Sequence, residues 1–229
     1  GDAANPANSQ GITLNNVIDA NRGQVTLTGT SRNTSGVQLG PTYSWGATNN
    51  SRSGVVFNGG SGVTADNFQI TGTHNVAAGN SFGVNGIYMS GAVTFVATGN
   101  TNSTITGNSN AQGNFGAGVL VWDGASVRLE NRGTGVTTLR GSNTHAEGGN
   151  GVRIGATNNN AVINTVGRVT IGQQTAGVNA PIFIRGTLNA TRNTANLGEL
   201  SILGQTGSGL TTTAVQLWDT NINAAGLDV

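Results

Sequence analysis

The 229-residue sequence lacks cysteine and lysine altogether, and it contains only three prolines and one methionine. Without cysteine the chain can form no disulfide bond and can use no thiol chemistry. Without lysine it cannot carry a phosphate-binding loop of the Gly-x-x-x-x-Gly-Lys type. These absences exclude disulfide-stapled scaffolds, thiol enzymes and P-loop nucleotide-binding proteins.

Charge and long hydrophobic runs are also scarce. Only 8% of the residues are charged, and the basic and acidic residues nearly balance, which gives a formal net charge of +1. Because nucleic-acid binding needs a basic face, we expect no nucleic-acid partner. No apolar run approaches the ~18 residues of a membrane-spanning helix, so none is expected. No segment keeps a 3.6-residue hydrophobic period, which predicts almost no helix.

What the sequence does contain is 38 glycines and a recurring leading motif, Gly-apolar-x-apolar. Its last five copies begin at residues 86, 118, 151, 181 and 214, which are 32, 33, 30 and 33 residues apart. A fixed period of this size, in segments typical of strands, indicates a solenoid whose coils stack on one core. The gap before residue 86 leaves room for one degenerate copy. The copies with glycine are 11–14, 36–39, 86–89, 118–121 and 151–154. The segments 180–184, counted from Pro181, and 214–217 continue the motif with the glycine replaced.

A second motif, a β-rich run closed by glycine, recurs in step with the first. Some units carry a third run between the two, for example at 126–130 and 161–164. Short β-rich runs separated by turn residues are typical of strands, so each unit should hold two or three of them. We therefore predict one all-β domain over residues 1–229, a parallel β-helix of six to seven coils. The copies of the second motif are 25–29, 68–72, 103–107, 137–141, 168–172 and 200–204.

Strand alternation predicts which side chains form the core. The first and third apolar residues of each leading motif share one face and should point inward. Asn100, Asn108 and Asn143 lie near predicted corners, where their amides could stack in ladders. The predicted inward pairs are Ile12/Leu14, Val37/Leu39, Ile87/Met89, Val119/Val121, Val152/Ile154, Ile182/Ile184 and Val215/Leu217.

The middle residue of each leading motif should point outward. This outward column includes Tyr88, Leu120 and Phe183, which are more apolar than a solvated face requires. Either a long loop covers them, or they form an exposed stripe that binds a partner. Tyr43 and Trp45 lie in the long loop at 40–54, and Trp45 is the aromatic side chain most expected to be exposed. All five are candidate ligand-binding residues.

The dipeptide Trp-Asp ends a leading motif twice, at 122–123 and at 218–219, three periods apart. Equivalent placement favours a structural role at the coil corner, with the indole covering an apolar edge and the carboxylate accepting hydrogen bonds from turn amides. The alternative is that an exposed indole stacks on a sugar ring.

Catalysis on a β-helix would need clustered carboxylates with a basic side chain alongside. The nine acidic residues are scattered, and the one suggestive group is Asp123, His145 and Glu147 in the region of one coil. These three are weak catalytic candidates. His74 and His145 lack partners at metal-ligand spacing, so we predict neither a metal nor another cofactor.

Two segments, Gly-Ile-Thr-Leu-Asn-Asn-Val at 11–17 and Gly-Gln-Val-Thr-Leu-Thr-Gly at 23–29, resemble the repeats of filamentous-haemagglutinin-like exoproteins. Those proteins are large bacterial adhesins with right-handed parallel β-helical bodies, exported by two-partner secretion. The resemblance implies a secreted, surface-displayed protein, an outer-membrane transporter as partner during export, and a host, matrix or glycan receptor. The period here is longer than the family's usual coil. The family's amino-terminal secretion domain is not recognisable in residues 1–35, so we expect a piece of a larger exoprotein.

The sequence therefore predicts a structural and adhesive segment that is not an enzyme. One alternative is a carbohydrate-active β-helix enzyme of the polysaccharide lyase or glycosidase type. A lesser alternative is an ice-binding β-solenoid. Thr26/Thr28 and Thr104/Thr106 fit the Thr-x-Thr ranks of such proteins, whereas Thr138/Arg140, Thr170/Gly172 and Ser201/Leu203 interrupt them.

Overall fold

Twenty short strands alternate in a fixed order among three parallel sheets, named here sheets A, B and C. Sheets A and B each hold seven strands and sheet C holds six, which makes six sets of three strands and two strands of a seventh coil. The predicted parallel β-helix is thus confirmed, with three strands in each complete coil and no helix among the described residues. The right-handed winding stays a prediction, which the usual hand of parallel crossovers favours. The computed structural model describes residues 11–20, 22–33, 53–76, 85–110, 116–144, 149–158, 160–207 and 213–224.

Sheet A is built from the leading motifs, and neighbouring strands pair in register. β1 (Ile12–Leu14) pairs directly with β4 (Val55–Phe57), with Ile12 opposite Val55. The predicted copy at 36–39, with its inward pair Val37 and Leu39, lies outside the described ranges. The strands are β1 (Ile12–Leu14), β4 (Val55–Phe57), β7 (Ile87–Met89), β10 (Ala117–Val121), β13 (Asn150–Ile154), β16 (Ile182–Ile184) and β19 (Val215–Leu217).

Sheet B is built from the third run, which the sequence showed in only some units. The structure contains it in all seven. The strands are β2 (Val17–Asp19), β5 (Ser61–Ala65), β8 (Ala92–Ala97), β11 (Ser126–Asn131), β14 (Ala161–Val166), β17 (Gly186–Thr191) and β20 (Asn221–Asn223).

Sheet C is built from the runs closed by glycine, as predicted. The strands are β3 (Gln24–Asn33), β6 (Asn67–Val76), β9 (Ser103–Ser109), β12 (Thr137–Asn143), β15 (Arg168–Gly172) and β18 (Glu199–Leu203). The register is continuous, because Thr104 pairs with Thr138, which in turn pairs with Thr170.

The predicted inward pairs of coils 3 to 6 are fully buried in one continuous core. Aromatic rings fill the core of the early coils, where the Phe95 ring lies 4.9 Å from that of Phe57 and 5.9 Å from that of Phe68. Ile12 and Leu14 pack against this core while partly buried. Leu217 is half exposed, because it lies in the last described coil and no described coil covers it.

Glycine closes the corner between sheets C and A. A Cβ built on Gly118 would lie 2.5 Å from the carbonyl oxygen of Gly107, and one built on Gly107 would come closer still to that of Gly118. Real Cβ atoms essentially never approach so closely. The glycine that ends the sheet C motif therefore faces the glycine that begins the next sheet A motif. The same approach recurs between Gly29 and Gly54, Gly72 and Gly86, and Gly141 and Gly151.

A side-chain amide ladder forms, but at a different place from the predicted one. Asn189 donates to the Oδ1 of Asn164 at 2.9 Å, and Asn223 donates to the Oδ1 of Asn189 at 2.8 Å, on neighbouring strands of sheet B. The amides of Asn100, Asn108 and Asn143 instead bind non-asparagine groups of other segments. Their partners are the Thr134 amide, the Ser142 hydroxyl and the Gly116 carbonyl, respectively.

Candidate functional site

The outward column of sheet A is buried in its middle coils and exposed at Thr13 and Gln216. Val56 belongs to the column as well, because it pairs with Thr13 and Tyr88. Tyr88, Leu120 and Phe183 are 4%, 0% and 6% exposed. Their burial leaves no open stripe at these three positions, and the predicted covering loop at 40–54 lies mostly outside the described ranges. A ligand-binding role for them stays a prediction.

The two tryptophans that follow sheet A differ in exposure. Trp122 is partly buried and packs against the cluster formed by Val56, Tyr88 and Leu120, with its ring 6.2 Å from that of Tyr88. Trp218 is 54% exposed, and its ring meets that of Phe183 edge-on at 6.3 Å. The corner between sheets A and B therefore presents one packed indole and one open indole.

Two arginines that were not predicted from the sequence as site residues lie against the aromatic rings. The Arg153 guanidinium lies 4.1 Å from the centre of the Phe183 ring and donates to the carbonyl oxygen of Ala156 at 2.9 Å. Arg185 lies over the Trp218 ring at 5.5 Å, and its Nη2 is 3.4 Å from a carboxylate oxygen of Asp219. We name Tyr88, Trp122, Asp123, Arg153, Phe183, Arg185, Trp218 and Asp219 the corner cluster.

Burial controls the ionisation of two members of the corner cluster. Burial, aided by the negative charge of Asp123, raises the pKa of Tyr88 to about 12, so its phenol stays neutral. Burial also lowers the pKa of Arg153 to about 10, and the charge of Arg185 acts in the same direction while that of Asp123 opposes it. Arg153 nevertheless remains a cation at neutral pH, which suits its position over the Phe183 ring.

Asp123 is a structural carboxylate. Its Oδ1 accepts from the amide of Ala156 at 2.7 Å, and its Oδ2 accepts from the amides of Thr157 and Asn158 at 2.8 and 3.2 Å. The Thr157 hydroxyl adds a bond of 2.5 Å. Partial burial acts to raise the pKa of Asp123, but these hydrogen bonds outweigh it and hold the pKa below its usual value. The bonds confirm the predicted role of accepting turn amides, here those of the next coil.

Asp219 does not reproduce that arrangement. Its backbone has a φ of 48°, in the left-handed region, and its carboxylate faces Arg185. The side chain is half exposed, so the pair is a surface ion pair of small energetic weight.

The other predicted site residues fall outside the described ranges. His145 and Glu147 lie in 145–148, and Tyr43 and Trp45 lie in 34–52. Asp123 is thus the one catalytic candidate that lies within the described ranges. Both oxygens of its carboxylate already accept hydrogen bonds from the next coil. Among the described residues, no three His, Cys, Asp or Glu side chains lie together as metal ligands would.

Charged side chains elsewhere also bind one another. The Glu130 carboxylate receives Arg128 at 2.8 Å and Arg132 at 2.7 Å. Arg168 reaches Glu199 of the neighbouring strand at 3.4 Å. The Glu130 pairs lie at the end of one strand, and the Arg168–Glu199 pair joins two adjacent coils. These ion pairs therefore do not converge on a cleft.

Asp123→Ala is expected to lower the free energy of unfolding by about 1–2 kcal/mol at pH 7, because charged hydrogen bonds are lost at a partly exposed site. The folded pKa is depressed, so this contribution is present above the unfolded pKa of about 3.9 and is lost as the pH falls through the folded value. Urea denaturation at pH 7 and pH 3 measures both effects. Asp219→Ala is the matched control, expected to change stability by less than about 0.5 kcal/mol. An equal deficit for Asp123→Ala at both pH values would contradict the assignment.

No protein-family model, curated protein or solved structure matches this chain. Within the described ranges there is no helix long and apolar enough to cross a membrane.

Proposed function

We propose that this chain is a structural and adhesive segment of a bacterial secreted, surface-displayed adhesin. One observation carries the proposal: polar side chains of the outer faces bind neighbouring coils. Asp123 holds the amides of residues 156–158, and the Asn164–Asn189–Asn223 ladder joins three coils. Such bonding, added to a continuous core, makes a stiff rod that can hold contact surfaces away from a cell.

Export by an outer-membrane two-partner-secretion transporter fits the same architecture. Each coil of a solenoid contacts only its neighbours, so coils can fold one after another as they leave a pore. The motifs at 11–17 and 23–29, which resemble those of filamentous-haemagglutinin-like exoproteins, support this route and a location at the cell surface.

The alternative of a carbohydrate-active enzyme finds little support at Asp123. A general acid needs a raised pKa so that it holds a proton at the working pH. The hydrogen bonds at Asp123 depress its pKa instead. Specific turnover in a polysaccharide-cleavage screen, lost in Asp123→Ala, would overturn the non-enzymatic proposal.

The contact surface for a host, matrix or glycan receptor is proposed to include Trp218. It is the one large aromatic side chain among the described residues that is more than half exposed, and Arg185 and Asp219 flank it with polar groups. Exposed tryptophan and arginine commonly dominate binding energies.

Trp218→Ala is expected to weaken receptor binding at least about tenfold, a loss typical of a central aromatic contact. Binding is measured on glycan and matrix-protein arrays and quantified by surface plasmon resonance on the hits. Trp122→Ala is the matched control, because its indole is packed; it should lower stability and leave binding intact. Trp45→Ala tests the aromatic residue of the long loop in the same assay. Array hits that do not respond to Trp218→Ala would refute this contact.

A further inference from the structure

The outer face of sheet C carries an ordered threonine array in the first three coils. Nine outward positions of β3, β6 and β9 form three ranks that run across the coils, and seven of the nine are threonine. Residues between them, such as Phe68, Ile70 and Ile105, are buried, whereas the array is exposed or partly exposed. The ranks are Thr26–Gln69–Thr104, Thr28–Thr71–Thr106 and Thr30–Thr73–Asn108.

Only four of these threonines stand out in the sequence, as the pairs Thr26/Thr28 and Thr104/Thr106. Thr30, Thr71 and Thr73 join the array because the register of sheet C brings them beside Thr28 and Thr106. The second rank ends at the fourth coil, where Arg140 follows Thr106 and donates from Nε to its hydroxyl at 3.0 Å. The first rank alone continues with threonine, through Thr138 and Thr170.

The spacing of the array resembles that of a water network. Adjacent strands lie about 4.8 Å apart, so the members of a rank repeat at that distance. Two waters bonded to the same third water lie about 4.5 Å apart, given O–H···O lengths of about 2.75 Å and a tetrahedral angle. The two distances are similar, so the hydroxyl groups of one rank can take the places of every second water molecule in a row of ordered water.

The backbone behind the array is held rigidly. Gly29, Gly72 and Gly107 lie between the second and third ranks, one in each coil. Each packs against a sheet A glycine so closely that no Cβ fits. A surface that binds a crystal must keep its spacing, and this glycine corner fixes the strands that carry the threonines.

The chemistry of the array disfavours charged ligands and sugar rings that stack on aromatic side chains. None of its nine side chains is charged or aromatic, so it provides neither an ion pair nor a ring for sugar stacking. Threonine offers a methyl group that restricts the orientation of neighbouring water, and a hydroxyl that can hydrogen-bond to that water.

We propose that the threonine array binds the surface of ice. The array is separate from the corner cluster, since it lies on sheet C, and it does not depend on the adhesive function. Its ligand is an ordered water lattice. The array carries no charge and repeats at a fixed spacing, and these properties suit such a lattice better than a charged or flexible polymer.

The test is thermal hysteresis and ice-recrystallisation inhibition by the 229-residue chain. The unmodified chain should show both, and Thr71→Tyr, at the centre of the array, should reduce hysteresis at least about fivefold at equal concentration. Gln69→Thr completes the first rank and should increase it. Thr94→Tyr, on the partly exposed side of β8 in sheet B, is the matched control and should leave it unchanged. Circular dichroism and thermal midpoints verify that each variant folds.

Absence of hysteresis in the unmodified chain would overturn the proposal, and so would equal activity in Thr71→Tyr and Thr94→Tyr. Sedimentation with cellulose or chitin particles that depends on Thr71, without ice binding, would assign the face to a neutral polysaccharide instead. Receptor binding through Trp218 is measured separately, so the two proposals can fail independently.

Discussion

Gly107→Ala is expected to lower the free energy of unfolding by about 3 kcal/mol, at the upper end of the usual cost of overpacking. A Cβ at this position meets the backbone of Gly118, which cannot rotate away as a side chain could. Relief requires that β9 and β10 separate, and this would disturb the register of the coils on either side. Urea denaturation of the two proteins measures the difference.

Gly23→Ala provides the control for that variant. A Cβ on Gly23 would meet its nearest neighbour, the carbonyl oxygen of Ala20, at an ordinary 3.5 Å. Alanine there should leave stability unchanged or raise it by up to about 1 kcal/mol, because it restricts the unfolded chain. Similar stabilities for Gly107→Ala and Gly23→Ala would show that the backbones of Gly107 and Gly118 are far enough apart to accept a Cβ.

Phe95→Ala is expected to cost about 3–5 kcal/mol, the range for removing a fully buried aromatic ring. The Phe95 side chain is fully buried and touches the rings of Phe57 and Phe68, so its loss opens a cavity between two other aromatic rings. Differential scanning calorimetry and urea denaturation both report the change.

Val17→Ala is the control for the cavity. Val17 is half exposed in the first described coil, and its truncation should change stability by less than about 0.5 kcal/mol. A cost for Phe95→Ala below about 1 kcal/mol would mean that the aromatic cluster does not form in solution.

The sequence was sufficient to predict two of the three sheets, because sheets A and C use motifs with their own glycine and a regular period. Sheet B was found only in part. Val17–Asp19 and Asn221–Asn223 are three-residue strands without a glycine marker, and nothing local distinguishes them from turns. The pairing of Ile12 with Val55 was not predicted either, because a local pattern does not show which strands become neighbours.

The role of the glycines was also hidden from the sequence. Gly107 and Gly118 allow two sheets to approach each other more closely than a Cβ would permit. The distance between sheets depends on the closure of the whole coil, which a short motif does not encode. The amide ladder forms at Asn164 and Asn189 and not at Asn100, where it was predicted. A ladder needs asparagines in register on neighbouring strands, and the sequence alone did not show that register.

At the corner cluster, the sequence predicted what the Asp123 carboxylate does but not how the tryptophans differ. Trp122 and Trp218 occupy equivalent places in the repeat, but Trp218 lies in the last described coil, where no described coil follows to cover it. Arg153 was missed because an arginine in an outward column normally extends into water. Here it lies over the Phe183 ring and is almost fully buried.

The central claim is that successive repeats lie directly on one another. Thr26 and Ser201 are 175 residues apart in sequence, yet five in-register steps of sheet C join them. Because the chain has no cysteine, spin labels can be attached to Thr26→Cys and Ser201→Cys alone. Double electron–electron resonance should give one narrow distance near 24 Å, from five rises of about 4.8 Å. A broad distribution, or a mean beyond about 40 Å, would contradict the stacked coils.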